Sequence, residues 1–466
     1  MGVPMVQANL TGCRARHVSC FLKGMMPITT RIFGSATLLG LAALASSQTD
    51  IAMTEAYTCD ANGNPAAVRV GDGFYVGARF QVSGTPNSNY KFRVEMPYYQ
   101  AETARLSFGT SAGSYYVVWG PVPSLTSATF KIKATLDPDR KVRESNRTNN
   151  TREFNVSPVA PASPIEYFNP KTLTGRLGLN VSWRSGSSLP SEITTWMPIP
   201  SNETFQQANG VSVASANSLL DAQPFAQIIA ENTFRPANLN AFTVESNVST
   251  VARSARANLN ALRTFGNRAD AGQSAWLAKE DYVELNRPEI RQWLNQTVSP
   301  FQRSTMSTVE IAEALYRSVL KRCRYEFRAG AAPSAYQAAR SKRGDCGALS
   351  SLFVALCRAA GIPARTVNGF AAGSNNWHIW AEFHVGGAGW VPVDPAYAEG
   401  KLASGADLPI YFGVIPELNE RVATGFGLDR EIGNRSLPML QSPALFWAGN
   451  NVRLNAATAF SSLSAG

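Results

Sequence analysis

The chain has 466 residues, 44% of them apolar, which is enough for two or three domains with separate cores and excludes a disordered chain. The formal charge of +10 is spread out, with no Lys/Arg cluster interleaved with aromatic residues, and this argues against nucleic-acid binding. Charged residues are only 16% of the total while Ser, Thr, Asn and Gly are abundant, a balance that fits an exported protein better than a cytosolic one.

Residues 1–45 read as a secretory leader. Arg14, Arg16, Lys23 and Arg31 precede the apolar run "IFGSATLLGLAALA", which closes on the small-x-small pattern Ala43-Leu44-Ala45. Met25 or Met26 is an alternative start, because the stretch before them is long for a charged leader. The run is shorter than the roughly 18 residues a bilayer-spanning helix needs, so no transmembrane segment is expected after processing. Loss of the leader removes four positive charges and leaves about +6 of the formal +10, compatible with weak attraction to an acidic cell envelope. The location expected is secreted or periplasmic. Of six cysteines, Cys59, Cys323, Cys346 and Cys357 lie beyond the leader, and none is in a C-x-x-C arrangement. Neither a disulfide framework nor a structural zinc site is expected.

Residues 55–157 read as short strands separated by turns: "FYVGARFQV", "YKFRVEM", "SYYVVWG" and "TFKIKATL". In the last, Phe130, Ile132, Ala134 and Leu136 share one face, as in a half-buried strand of an antiparallel sandwich. The closing stretch "LDPDRKVRESNRTNNTREFNV" resembles the last hairpin of CARDB domains, bacterial adhesion-related immunoglobulin-like modules. The resemblance covers about 100 residues and implies an Ig-like sandwich, either a spacer or a binding module. Asp137, Asp139 and Glu144 are the carboxylates that could meet a Ca²⁺ ion there, but no metal site is expected.

The linker at 158–167, within and just after "SPVAPASP", separates this module from the rest of the chain. A β-rich region is expected over 168–280, marked by "LGLNVSWR" and "ITTWMPIPSNETFQQ", and an α+β catalytic domain over 281–466. Ser307 three residues ahead of Glu310 is a capping-box signature, with Ile311, Ala312, Leu315, Val319 and Leu320 on one apolar face and Cys323 packed a turn beyond Val319.

The chemistry concentrates in "RGDCGALSSLFVALCRAAGIPAR" at 343–365. Asp345 is a good N-cap, Leu349, Leu352, Phe353, Leu356 and Ala360 form an apolar stripe, and Gly361 with Pro363 ends the helix. Cys357 belongs with the core. Cys346 falls in the first turn, where free N–H groups and the helix dipole favour a thiolate. Beyond the leader there are two histidines, both in the hairpin "WHIWAEFHVGGAGWVPVDP". Alternation places His378, Trp380, Glu382 and His384 on one face. A turn Gly386-Gly387-Ala388 with Val385 opposite Gly389 sets Trp380 against Asp394 and makes His378 its diagonal neighbour; a turn one residue longer or shorter would separate them. His384 is read as a surface or supporting residue rather than a metal ligand. Glu382 is either solvated or paired with Arg365.

These motifs, "RGDCGALSSLFVALCRAAGIPARTVNGF", "HIWAEFHV" and "GWVPVDP", resemble the bacterial transglutaminase-like superfamily with its papain-like core. Weaker similarity extends back to "WMPIP" and forward to "YFGVIPELNERV", about 290 residues in all. The resemblance implies that Cys346 is the nucleophile, His378 the general base and acid, and Asp394 the residue holding the imidazole. It implies thioester acyl-enzyme chemistry on a carboxamide or peptide, with a protein, peptide or cell-envelope substrate and no organic cofactor. The backbone N–H of Cys346 is the first oxyanion donor, and Trp377, Tyr325 and Gln337 are candidates for the second; Trp380, with Trp377 and Trp390, is expected to wall the cleft. Gly347 departs from animal transglutaminases, which have Trp there, and with no acidic cluster in the core this argues against calcium-activated cross-linking. The expectation is hydrolysis ahead of transamidation. The alternative is a degenerate enzyme acting as an adhesive or scaffold module through its sandwich.

Overall fold

The computed structural model describes residues 48–102, 112–200, 202–213, 218–222, 227–265, 272–328, 332–371, 376–403, 405–416, 421–427, 430–432, 435–437, 443–460 and 464–465, with short strands at 5–7 and 29–35. Most of the expected leader lies outside the described residues. Among those described, no helix is long and apolar enough to cross a membrane. The chain divides into two compact units, one of Met25–Ala162 with Lys401–Ile410, the other of Met1–Gly24, Ser163–Gly400 and Tyr411–Gly466.

The first unit is all-β. One four-stranded antiparallel sheet is ordered Thr29–Ser35, Gly113–Pro123, Gly73–Ser83, Asp50–Cys59, and the other Tyr99–Glu102, Phe92–Met96, Phe130–Leu136, Thr151–Val156. Phe130, Ile132, Ala134 and Leu136 are all buried while the lysines between them are exposed, so the period-2 pattern decides which face turns inward. Ring contacts Phe74–Phe130 (6.3 Å) and Tyr99–Trp119 (5.6 Å) join the two sheets. Each such large apolar side chain contributes about 1.5–3 kcal/mol on burial.

Asp137, Asp139 and Glu144 are engaged by protein groups. Arg147 reaches Asp137 at 3.3 Å and Glu144 at 3.1 Å, and Asp139 is paired with Lys91 (3.1 Å) and Arg93 (3.5 Å). Asp137 also accepts the N–H groups of Lys141 (2.7 Å) and Val142 (2.9 Å).

The second unit carries the β-rich extension and an α+β core. In the extension, Ile165–Trp183 and Phe242–Ala257 pair along most of their length. Leu454–Phe460 flanks the former, and Ala444–Ala448 joins a second sheet beside Glu192–Pro198, so the C-terminal strands return to the extension. Leu173, Leu177, Ile193, Leu445 and Trp447 share its core.

The α+β core sets the helix Cys346–Ala359 against a four-stranded antiparallel sheet ordered Gly389–Val393, Asn376–Val385, Ala364–Ala371, Arg421–Phe426. Ser307 and Glu310 make both bonds of the capping box at the start of Thr308–Arg322, and Ile311, Ala312, Leu315, Val319, Leu320 and Cys323 are buried as the pattern requires. The Cys346 helix differs from the expected one-sided stripe: every residue from Gly347 to Arg358 is buried. A central helix covered all round has no solvent face to reveal. Even Arg358 is inside, paired with Glu280 at 2.5 Å and donating to the carbonyls of Ala364 (2.7 Å) and Ala278 (2.6 Å).

Candidate active site

Local sequence places Cys346 at the head of this helix. Asp345 caps it, its Oδ1 accepting the Ala348 N–H at 3.0 Å. Gly347 is demanded by packing, because a Cβ there would meet Pro333 Cβ at 2.7 Å and Ile379 Cδ1 at 3.3 Å. A bulky residue directly after Cys346 has no room in this chain. Ser350 Oγ donates to the Ile379 carbonyl at 3.2 Å and ties the helix to the strand that carries His378.

The hairpin has the register its glycines set: Val385 pairs with Gly389 and Ala381 with Val393. Asp394 then leaves the sheet as the N-cap of the short helix Pro395–Glu399. Its Oδ2 lies 2.6 Å from His378 Nε2, and its Oδ1 accepts the Tyr397 N–H at 2.9 Å. Tyr316 donates its hydroxyl to the Asp394 carbonyl at 2.9 Å, and the Asp394 N–H donates to the Tyr411 carbonyl at 3.0 Å. The His378 ring stacks on Tyr397, centroids 4.3 Å apart at 17°. Nε2 is thus the ring nitrogen turned to the carboxylate.

Electrostatics divides these groups. Burial would raise the Asp394 carboxyl, but His378 and Arg421 outweigh it and hold the carboxyl below its ordinary value. Such a group adds stability that is fully present above its unfolded value and is lost as pH falls through the lower folded one. Cys346 goes the other way from the helix-dipole expectation. Burial pushes its thiol up, the charges of Asp345 and Asp394 push it further, and the N–H groups of Ile379 and Gly347 oppose them. Desolvation at this helix start exceeds the dipole's pull on a thiolate. Asp345 is itself raised by burial, against the N–H groups of Ala348 and Gly347.

Of the residues expected around the thiol, Tyr325 is brought there. The pair Arg324–Tyr325 runs parallel to Arg343–Gly344, and Tyr325 senses Cys346, Asp345, Tyr397 and Asp394. Burial, and after it those negative neighbours, raise its hydroxyl, which keeps it a donor. Trp380 is fully buried, stacked 6.2 Å from His378. Trp377 instead lies in the extension's apolar core against Phe370 (5.8 Å), and Gln337 is exposed on the helix Ala335–Ser341. Alternation turns Trp377 inward, and Gln337 is on the exposed side of its helix. Glu382 is paired with Arg365 at 2.8 Å, and His384, expected at the surface or in support, is buried edge-on to Trp390 at 5.0 Å.

Arg421 was not legible as a site residue. It opens the strand Arg421–Phe426, and one of its terminal nitrogens lies 2.8 Å from Asp394 Oδ2. The strand reaches Asp394 through its pairing with Ala364–Ala371, a contact the chain's order does not announce. Gly369, opposite Ala423 in that pairing and opposite His378 in the pairing on its other side, allows the approach, because a Cβ there would run into the Val422 carbonyl.

Known proteins share parts of this sequence and fold. Residues 295–395 match the family model described as the transglutaminase-like superfamily, a span that contains Cys346, His378 and Asp394. An uncharacterised protein of Haemophilus influenzae is 38% identical over 78 residues, covering 12% of this chain and 21% of its own length. The chain thus spans about a fifth of the curated relative it matches. Among solved structures, a proposed cysteine protease of Cytophaga hutchinsonii is 14% identical with a TM-score of 0.44, covering 64% of this chain and 94% of its own. The CARDB domain of a Pyrococcus furiosus protein is 20% identical with a TM-score of 0.19, covering 27% of this chain and all of that domain.

Proposed function

We propose that this protein is an exported cysteine enzyme in which Cys346 attacks a carboxamide or peptide bond and forms a thioester acyl-enzyme. His378 takes the thiol proton and returns it to the leaving amine, and Asp394 holds the imidazole. Water then releases the acyl group, and the substrate is a protein, a peptide or cell-envelope material. The observation that carries the reading is the Asp394–His378 contact at 2.6 Å, on the strand whose next residue, Ile379, directs its N–H at the Cys346 sulfur. The family match over 295–395 supports it. Tyr325, protonated beside the thiol, and the Cys346 N–H supply the oxyanion donors in this scheme.

A glutamine-containing peptide tests the reaction. The reading expects ammonia or peptide-bond release that disappears in Cys346→Ala and is not diverted when methylamine is added. Incorporation of methylamine in preference to water would make the enzyme a transamidase. Equal release by wild type and Cys346→Ala would remove the acyl-enzyme and favour an adhesive module.

A further inference from the structure

Arg421 is an unusual buried cation. Its side chain is 2% exposed, yet Nε and one terminal nitrogen have no hydrogen-bond partner among the described residues. The rings of Tyr397 (5.0 Å), Trp380 (5.5 Å) and Tyr411 (5.7 Å) flank the guanidinium. Arg358 shows what a structural arginine does in this fold: it spends its donors on two carbonyls and Glu280. Among the described residues Arg421 makes one ion pair, to the oxygen that His378 also approaches. Leaving donors unmatched is costly, so the retained property is the fixed charge.

We propose that Arg421 is a positioning residue whose fixed charge on Asp394 Oδ2 keeps that carboxylate ionised and in place whether or not His378 carries a proton, and thereby sets the pH at which the Cys346–His378 pair releases its proton. This rests on the proposed roles of Cys346 and His378. The groups facing the cluster are Asp394 and His378 in contact, Tyr316, Tyr397 and Tyr411 around them, and Cys346, Asp345 and Tyr325 at the helix start. Of these with Arg421, only Arg421 carries a positive charge that does not titrate. It offsets one of two carboxylates that oppose thiolate formation. Removing that positive charge makes every proton of the cluster harder to remove, so the inflection of Cys346 alkylation moves to higher pH.

The experiment measures iodoacetamide alkylation of Cys346, followed by peptide mapping, as a function of pH in the full chain. Arg421→Gln is expected to move the inflection up by about one pH unit, about tenfold slower on the rising limb, and Arg421→Lys to restore it. A general packing defect would lower the rate without displacing the inflection, and lysine would not rescue it. If Arg421→Gln does not fold, Arg421→Met, which keeps the apolar bulk among the rings without the charge, takes its place, and the same upward displacement is expected. An unmoved inflection overturns the inference. His378→Ala separates the two failures: if it matches wild type, the proposed reacting pair is wrong, whereas if it loses the inflection and the Arg421 variants do not move it, only the role of Arg421 is wrong.

Discussion

Two buried carboxylate clusters, one in the sandwich and one in the α+β core, use the same residue types to different ends. Around Asp137 and Glu144 the donors are saturated: Arg147 bridges both acids, backbone N–H groups of Lys141, Val142 and Ile51 approach them, and Asn150 donates to Glu144 at 2.7 Å. Around Asp394 the matching is incomplete, with Arg421 holding unused donors and the shared oxygen also serving a titratable imidazole. A saturated cluster staples a loop. An undersaturated one keeps a charge available to a neighbour, which is what proton transfer requires.

The comparison breaks most visibly on activity. Cys346→Ala abolishes amide turnover in this account and Asp394→Asn lowers it by about a thousandfold, read as ammonia release. Asp137→Ala is expected to do the opposite: it destabilises the sandwich unit by about 2–3 kcal/mol in denaturant melts, through stranded backbone donors and an unpaired Arg147, and leaves Cys346 alkylation unchanged. A change in alkylation in that variant would dissolve the distinction between the clusters.

Smaller effects sharpen it. Gly347→Ala forces a methyl against Pro333 and is expected to cost about 1–3 kcal/mol and to slow alkylation. Thermal melts and alkylation rates check both parts. Asp345→Asn keeps a good N-cap but removes a charge that raises the thiol, so the alkylation inflection moves down and the rate at pH 7 rises by about threefold to tenfold. An upward move would mean that the cap, rather than the charge, governs Cys346.

The local features were legible in the sequence because local rules govern them. The cap at Asp345, the capping box at Ser307 and the register fixed by Gly386-Gly387-Ala388 each depend on a few adjacent residues. What was missed depends on strands meeting across long separations. Arg421 reaches Asp394 by pairing with Ala364–Ala371, and the C-terminal strands rejoin Ile165–Trp183 and Glu192–Pro198. His384, which the sequence leaves as either a surface or a supporting residue, is buried, because Trp390 packs on it edge-on and the Glu382–Arg365 pair lies on the same face. At Cys346 the sequence reports the helix dipole and not the desolvation that opposes it.

The most direct test of the central claim is the rate of iodoacetamide alkylation of Cys346 across pH in wild type and His378→Ala. The account predicts that His378→Ala reacts at least about tenfold more slowly at neutral pH, because a half-buried thiol without its base holds its proton. Equal rates and superimposable pH profiles would contradict it, since the thiol would then titrate without reference to the imidazole.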